Sequence, residues 1–320
     1  MNSPDTRPVV VGVDGGPGSA GAVRYAVSEA RRRAVALHLV HVSPTYLPVE
    51  AIVPFGPAVR MTAPVSMADV ESVGASFLSE AAATAAELDP GIVVSTRLAR
   101  GPCAAGLVES STGAQLLVIG RETRRGLERM VTGATTARVA ARAGCDVVVV
   151  PSFWSGANPK GRIVAGVRAR HHTDELLTRA FAEAHGRRAS LTLVTAWQVP
   201  DPYLDRIELR THAAEWEADD LRVLDELAAP WRRTYPDVQV EARVEHGSAA
   251  DVLLRASSES DLLLVARRHH VMPPHGHLGG VAHTLLRLSD VPVYVVRAAG
   301  NLDEPTLKGL ALEESGAALK

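Results

Sequence analysis

The chain has 320 residues, a length that suits two domains of ordinary size. Hydrophobic residues make up 46% and charged residues 22%, a normal folded profile, and Lys+Arg 34 against Asp+Glu 36 leaves a net charge of −2. That balance lacks the basic footprint of a general nucleic-acid binder, and aromatics at 4% do not furnish a stacking platform for single strands. No apolar run reaches about 18 residues, so no membrane span is expected. The start, MNSPDTRPVVVGVDGG, lacks the apolar core of a signal peptide. Two cysteines, Cys103 and Cys145, make no disulfide framework and suit a cytoplasmic protein.

In chain order, the first half reads as alternating strands and helices. Val9–Val13 is a continuous apolar run, as in a buried parallel strand. A helix over Ser19–Ala34 follows, with Ser19 as its cap, then a strand over Ala36–Val42. Pro44 to Ser66 carries five prolines and reads as a long loop. A helix over Ala68–Leu88, a strand over Ile92–Leu98 and a helix over Pro102–Ser111 come next. Leu116–Gly120 (strand), Ala134–Ala143 (helix) and Val147–Val150 (strand) complete the half.

The second half repeats this order. A shift of 154 lays Val9 to Val13 on Ile163 to Val167, and Ala26, Glu29 and Ala30 on Ala180, Glu183 and Ala184. A shift of 146 lays Gly120-Arg121 on Ala266-Arg267, Gly133 on Gly279, and Val147 to Val150 on Val293 to Val296. The first copy therefore holds eight extra residues, placed in the Pro44 to Ser66 loop. The expected elements of copy two are Ile163–Val167, Asp174–Arg187, Ser190–Ala196, Thr211–Tyr235, Gln239–Glu245, Ala249–Ser258, Leu262–Ala266, Val281–Leu288 and Val293–Val296. The fold class is α/β: two repeated Rossmann-like open parallel sheets, five strands and four helices each. Domain one is expected over 1–152, domain two over 153–300, joined through Ser152 to Gly161, and residues 301–320 form a flexible tail.

Open parallel sheets bind ligands beyond the carboxyl ends of their strands. Strand one of copy one ends in Gly12-Val13-Asp14-Gly15-Gly16. Asp14 is either an acceptor for an amine or hydroxyl, or the aspartate of an Asp-Gly turn. Gly133, at a loop-to-helix junction, is either an anion cradle or a tight turn. Arg121, Arg124, Arg125 and Arg129 make the intervening loop basic, which suits phosphate or plain solvation. Gly16-Pro17-Gly18-Ser19-Ala20-Gly21 fits the dinucleotide fingerprint, but no acid ends strand two (Val40-His41-Val42-Ser43), which argues against NAD or FAD.

These residues resemble the universal stress protein family, almost end to end and in both copies. The resemblance rests on Val11-Gly12-Val13-Asp14-Gly15 followed by Ser19, and on LHLVHVSP from Leu37 to Pro44. ATP-binding members of that family carry G-x2-G-x9-G-[ST] after strand four. Here Gly120, Thr123, Gly133 and Ala134 take those positions, with glycine retained at the first and third. The resemblance implies that Gly12, Val13, Asp14 and the backbone at Val42 hold adenine. It implies that Gly120 and Arg121 lie near the ribose, with Thr123 in the following loop. Gly133, Ala134, Thr135 and Thr136 would cradle phosphate. The implied ligand is ATP or a related adenine nucleotide, with or without Mg2+, in a stress-response or regulatory protein. The implied assembly pairs Val147–Val150 with Val293–Val296 inside one chain, and leaves a homodimer open.

Copy two departs from this pattern. Arg168 replaces the aspartate, and Ala266, His269, Gly279 and Gly280 fill the motif positions, so its site is expected to be degenerate. His269, His270, His275 and His277 form a histidine-rich loop without a carboxylate or cysteine to complete a regular metal set. No hydrolase elbow, zinc-protease or Walker motif is present, so any enzymatic activity is expected to be at most weak ATP hydrolysis. Cys103 sits near a helix start, where a thiol can be activated, but its counterpart is Ala249, which suits a small packing residue. A tandem scaffold that binds no nucleotide and works through protein partners is the alternative.

Overall fold

The computed structural model describes residues 5–44, 66–122, 133–168, 173–267 and 278–297. The loop around 45–65, Thr123, the histidine-rich loop from His269 to His277 and the tail at 301–320 lie outside these residues. The first half runs β1 (Val9–Gly12), α1 (Pro17–Arg33), β2 (Leu37–Ser43), α2 (Met67–Leu88), β3 (Val94–Arg100), α3 (Cys103–Ser110), β4 (Leu116–Arg121), α4 (Gly133–Arg142) and β5 (Asp146–Pro151). The second half runs β6 (Arg162–Gly166), α5 (Asp174–Arg187), β7 (Ser190–Trp197), α6 (Pro202–Thr211), α7 (Ala213–Thr234), β8 (Val240–His246), α8 (Ala249–Ser257), β9 (Leu262–Ala266), α9 (Gly280–Leu288) and β10 (Val293–Val296).

The α/β class and the repeat hold, with two additions. The two half-sheets merge into one ten-stranded sheet of order β3-β2-β1-β4-β5-β10-β9-β6-β7-β8. Every pairing is parallel except the central one, where β5 meets β10 antiparallel, Val148 opposite Tyr294. Under the 146-residue shift Val148 and Tyr294 are equivalents, so this pair marks a pseudo-twofold axis. The second addition is α6, a helix beyond the four expected in copy two: Asp201 accepts from the N–H groups of Tyr203 and Leu204, and Pro202 occupies the first turn.

Alternation along the strands feeds two cores. Val9 and Val11 pack with α1 and α2, and Val10 packs with α3 and α4. The second half repeats this with α5 and α7 on the first face, α8 and α9 on the other.

The α1 start differs from the cap reading. Gly16 is the N-cap, Pro17 follows it, and Ser19 is already helical. Its hydroxyl donates to Asp14 Oδ1 at 2.6 Å and accepts from Asp14 N at 2.9 Å. Ser19 therefore braces the loop before the helix rather than capping the helix.

The seam between the halves is ionic at one end. Glu29 and Glu183, equivalents in the repeat and both fully buried, face each other across it. Arg33 donates to Glu29 at 3.1 Å and to Glu183 at 2.7 Å. Its equivalent, Arg187, donates to Glu183 at 3.2 Å, to Glu29, and to the Tyr25 hydroxyl at 2.8 Å. Arg32 bridges both carboxylates at 2.5 Å. Arg32 has no mate, because its equivalent is Gly186, and a Cβ there would stand 2.6 Å from Arg32 Nη1. Burial alone pushes the Glu29 carboxyl up, but Arg187, Arg32 and Arg33 together outweigh it and hold it at about 2.

Candidate functional site

The first cleft lies beyond the carboxyl ends of β1, β2 and β4. Asp14 is exposed where the chain leaves β1. Its Oδ1 accepts from Gly16 N at 2.9 Å as well as from Ser19, which is the turn-forming role open to an Asp-Gly pair. Among the described residues nothing donates to its Oδ2. Of the two roles its sequence left open, the bonds it makes within the chain are those of the turn.

Val42 is placed by strand register. Even positions of β2 address β1, through Val9 N to the Ala36 carbonyl and Val13 N to the Val40 carbonyl. Odd positions address β3, through Leu37 N to the Val93 carbonyl and Gly101 N to the Ser43 carbonyl. Val42 is the next even position, beyond the last contact with β1, so its peptide groups face the space above Asp14. The Val13 carbonyl is already taken by His41 Nδ1 at 2.7 Å.

Gly120 has a packing role. A Cβ there would lie 2.3 Å from the Gly18 carbonyl oxygen, and one on Gly18 would lie 3.3 Å from the Arg121 carbonyl carbon. The pair lets the first turn of α1 lie directly on the end of β4, so Gly120 presents backbone to a helix. Gly12 likewise makes room for Leu107 and Ile119. Arg121, read as a neighbour of the ribose, is buried, and its guanidinium donates across the seam to the carbonyls of Arg287 and Ser289 at the end of α9.

On the far side of the cleft, α4 begins at Gly133. Ala134 and Thr135 are exposed in its first turn, while Thr136 is buried. The free N–H groups and positive dipole end of this ten-residue helix favour an anion. Partial burial and the Asp14 carboxylate push the Cys103 thiol upward, which disfavours a reactive thiolate. Among the described residues no group of three or more His, Cys, Asp or Glu is placed to hold a metal ion, and no helix is long and apolar enough to cross a membrane. The groups present are an exposed acid and open peptide groups beyond β1 and β2, and a helix N-terminus after β4.

The second cleft keeps the frame and changes the contents. Val167 N donates to the Val194 carbonyl at 2.9 Å, and the Thr195 hydroxyl meets the Val167 carbonyl at 3.0 Å, just as Val13 and His41 do in the first. Arg168 then stands, exposed, at the position of Asp14. The helix α5 starts at Asp174, about one turn later than α1 does in repeat numbering. Above β7 and β8, α6 is tied down by Asp205, which accepts from Val199 N at 2.9 Å and meets His246 Nε2 at 2.9 Å. The Trp197 ring fills the same space, 4.6 Å from the His246 ring and 5.3 Å from that of Trp216.

The reciprocal placement of Arg121 and Arg267, each reaching the end of the other half's last helix, does not follow from a search of the sequence for ligand motifs. The signal was present: both arginines align under the 146-residue shift although the glycine before them does not.

Comparison with known proteins agrees with this architecture. A universal stress protein of Mycolicibacterium smegmatis is 27% identical over 300 residues, covering 90% of this chain and 96% of its own. The crystal structure of a universal stress protein from Archaeoglobus fulgidus superposes with a TM-score of 0.65 at 14% identity, covering 92% of this chain and 97% of that one. A universal stress protein solved in complex with cAMP aligns with 46% of this chain and 98% of its own, at 22% identity and a TM-score of 0.33. The universal stress protein family matches twice, over residues 6–151 and 160–297. With both matches laid on the two halves of one sheet, the chain belongs to the universal stress protein family.

Proposed function

We propose that this chain is a stress-response or regulatory protein that binds an adenine nucleotide, ATP or a relative of it with or without Mg2+, in the first cleft alone. What supports this reading is that the exposed Asp14, the Val42 peptide beyond the last β1 contact and the N-terminus of α4 all lie at the carboxyl-end side of the first half-sheet, whereas the second half has Arg168. A carboxylate oxygen and strand-edge peptides match the donor and acceptor edge of adenine, and the helix start matches phosphate. The cationic Arg168 offers no acceptor where Asp14 has one.

The protein works through ligand-dependent conformation or partner choice in the cytoplasm. The halves 1–152 and 153–300 act as domains, and they stay paired in solution through β5 and β10 within one chain. Denaturing the purified protein should release an adenine nucleotide, and calorimetry with ATP, AMP and cAMP should give at most one site per chain. Two equivalent sites, or no binding with any of the three, would overturn the reading.

The alternative is a tandem scaffold that binds no nucleotide. Two placements favour it: Gly18 occupies the space a Gly120 side chain would take, and Arg121 turns its guanidinium to the seam. The same calorimetry decides between the two.

A further inference from the structure

Two arginines at the carboxyl ends of strands, one in each half, reach across the seam. Arg121 ends β4, and its guanidinium donates to the carbonyls of Arg287 and Ser289, where α9 stops. Arg267 directly follows β9, and its Nη1 donates to the carbonyls of Ala143 at 2.9 Å and Ala140 at 3.4 Å, where α4 stops. The two arginines are equivalents in the repeat, so the bonds are reciprocal about the pseudo-twofold. The last carbonyls of a helix lack intrahelical donors, and its dipole favours a cation there. Each half therefore supplies the C-terminal cap of the other half's last helix. Arg267 is also fixed to the centre of the sheet, since its N–H donates to the Val296 carbonyl at 2.9 Å.

This geometry gives α4 two clients. Its N-terminus opens on the first cleft, and its C-terminus, about 15 Å away for ten residues, is held by a side chain of the second half. A helix of this length moves as a rod, so a displacement at one end arrives at the other.

We propose that Arg267 is a positioning residue through which occupancy of the first cleft is felt in the second half. An anion at the head of α4 selects one axial position of that helix. The Ala140 and Ala143 carbonyls carry this position to Arg267, and so to β9 and β10. Arg121, at the root of the same cleft, makes the return connection to α9. The inference rests on the ligand reading for the anion at α4. It requires that the nucleotide bind one position of α4 better than another, and it carries a reciprocal consequence: altering Arg267 alters affinity in a cleft it does not touch.

The test is hydrogen exchange on the full chain, with and without ATP, beside calorimetry. In the unaltered protein ATP should slow exchange in α4 and also in α9 and at residues 265–267. In Arg267→Met, ATP should still bind, weaker by roughly fivefold, with slowing confined to the first half. Arg267→Lys, which keeps the charge with fewer donors, should restore part of both effects. Response of α4 without response of α9 in the unaltered protein, or an Arg267→Met variant with unchanged affinity and an unchanged α9 response, would overturn the proposal. Failure of any nucleotide to bind would sink the ligand reading instead, and the coupling would then be judged without ligand. Gly133→Val, at the head of α4, should change α9 exchange in the unaltered background and not beside Arg267→Met. An α9 indifferent to Gly133→Val would overturn the proposal.

Discussion

The axis between the two halves and the clefts at their rims follow different rules. At the axis the charged groups match with one exception, Arg32, whose equivalent is Gly186: Glu29 faces Glu183, Arg33 mirrors Arg187, and Arg121 mirrors Arg267. At the rims they part: Asp14 becomes Arg168 and Gly120 becomes Ala266. A buried charge that loses its partner is left without solvent, so a change in either copy is penalised by the other. Asp14 and Arg168 are both exposed, so their exchange buries no charge. The seam thus constrains both sequences, whereas the exposed rims are freer to differ.

The largest test of that contrast is Glu183→Gln. Removing one anion from a buried cluster of three arginines and two carboxylates should cost about 3–5 kcal/mol in urea unfolding. Arg168→Asp, at the matching rim, should stay within about 0.5 kcal/mol. A Glu183→Gln loss no larger than the rim change would dissolve the distinction.

Acid should act on the seam in the same direction. Glu29 is held at about 2, below its ordinary value of 4.5. Its contribution is therefore complete above about pH 4.5 and is lost as pH falls toward 2. Unfolding followed from pH 6 to pH 2 should show this loss, and Glu29→Gln should flatten that part of the profile.

At the rim, Asp14→Ala should weaken ATP binding by about 1–3 kcal/mol, and Asp14→Arg should abolish it. Thermal unfolding distinguishes this from collapse of the loop that Asp14 and Ser19 brace. Full affinity in a folded Asp14→Arg variant would remove Asp14 from the site.

A small effect is expected at Gly186. A methyl there meets the end of the Arg32 side chain, 2.6 Å away, which must shift slightly while it bridges Glu29 and Glu183, so Gly186→Ala should change stability by less than about 1 kcal/mol in the same urea assay.

Much of this molecule could be read in its sequence because the repeat states everything twice. Val9 to Val13 and Ile163 to Val167 identified the first strand of each copy, and the apolar runs at Val147 and Val293 identified the last. The helix α6 escaped, though Asp201-Pro202 is a good helix start, because the proline-rich sequence from Pro44 to Ser66 in copy one carries no matching pattern. The site was legible only as residue types. Asp14 and Val42 follow from strand ends, which local pattern encodes. Gly120 and Arg121 could not be resolved locally, since Gly18 lies 102 positions before the one and Ser289 lies 168 after the other. A glycine facing a phosphate and a glycine facing a helix look the same in one dimension.

The antiparallel pairing of β5 with β10 also sets the order in which the protein can be completed as it is made. The strand β5 ends at Pro151 and its partner ends at Val296, about 145 residues later. At roughly 5–20 residues per second of synthesis, the first half waits roughly 7–30 s with an apolar edge unpaired. In that interval nascent chains on one messenger present each other with the same open strand. Closure by β10 of the same chain is favoured because the tether keeps it at high local concentration. The last four-residue strand to emerge is therefore the one that closes the sheet of the half made first.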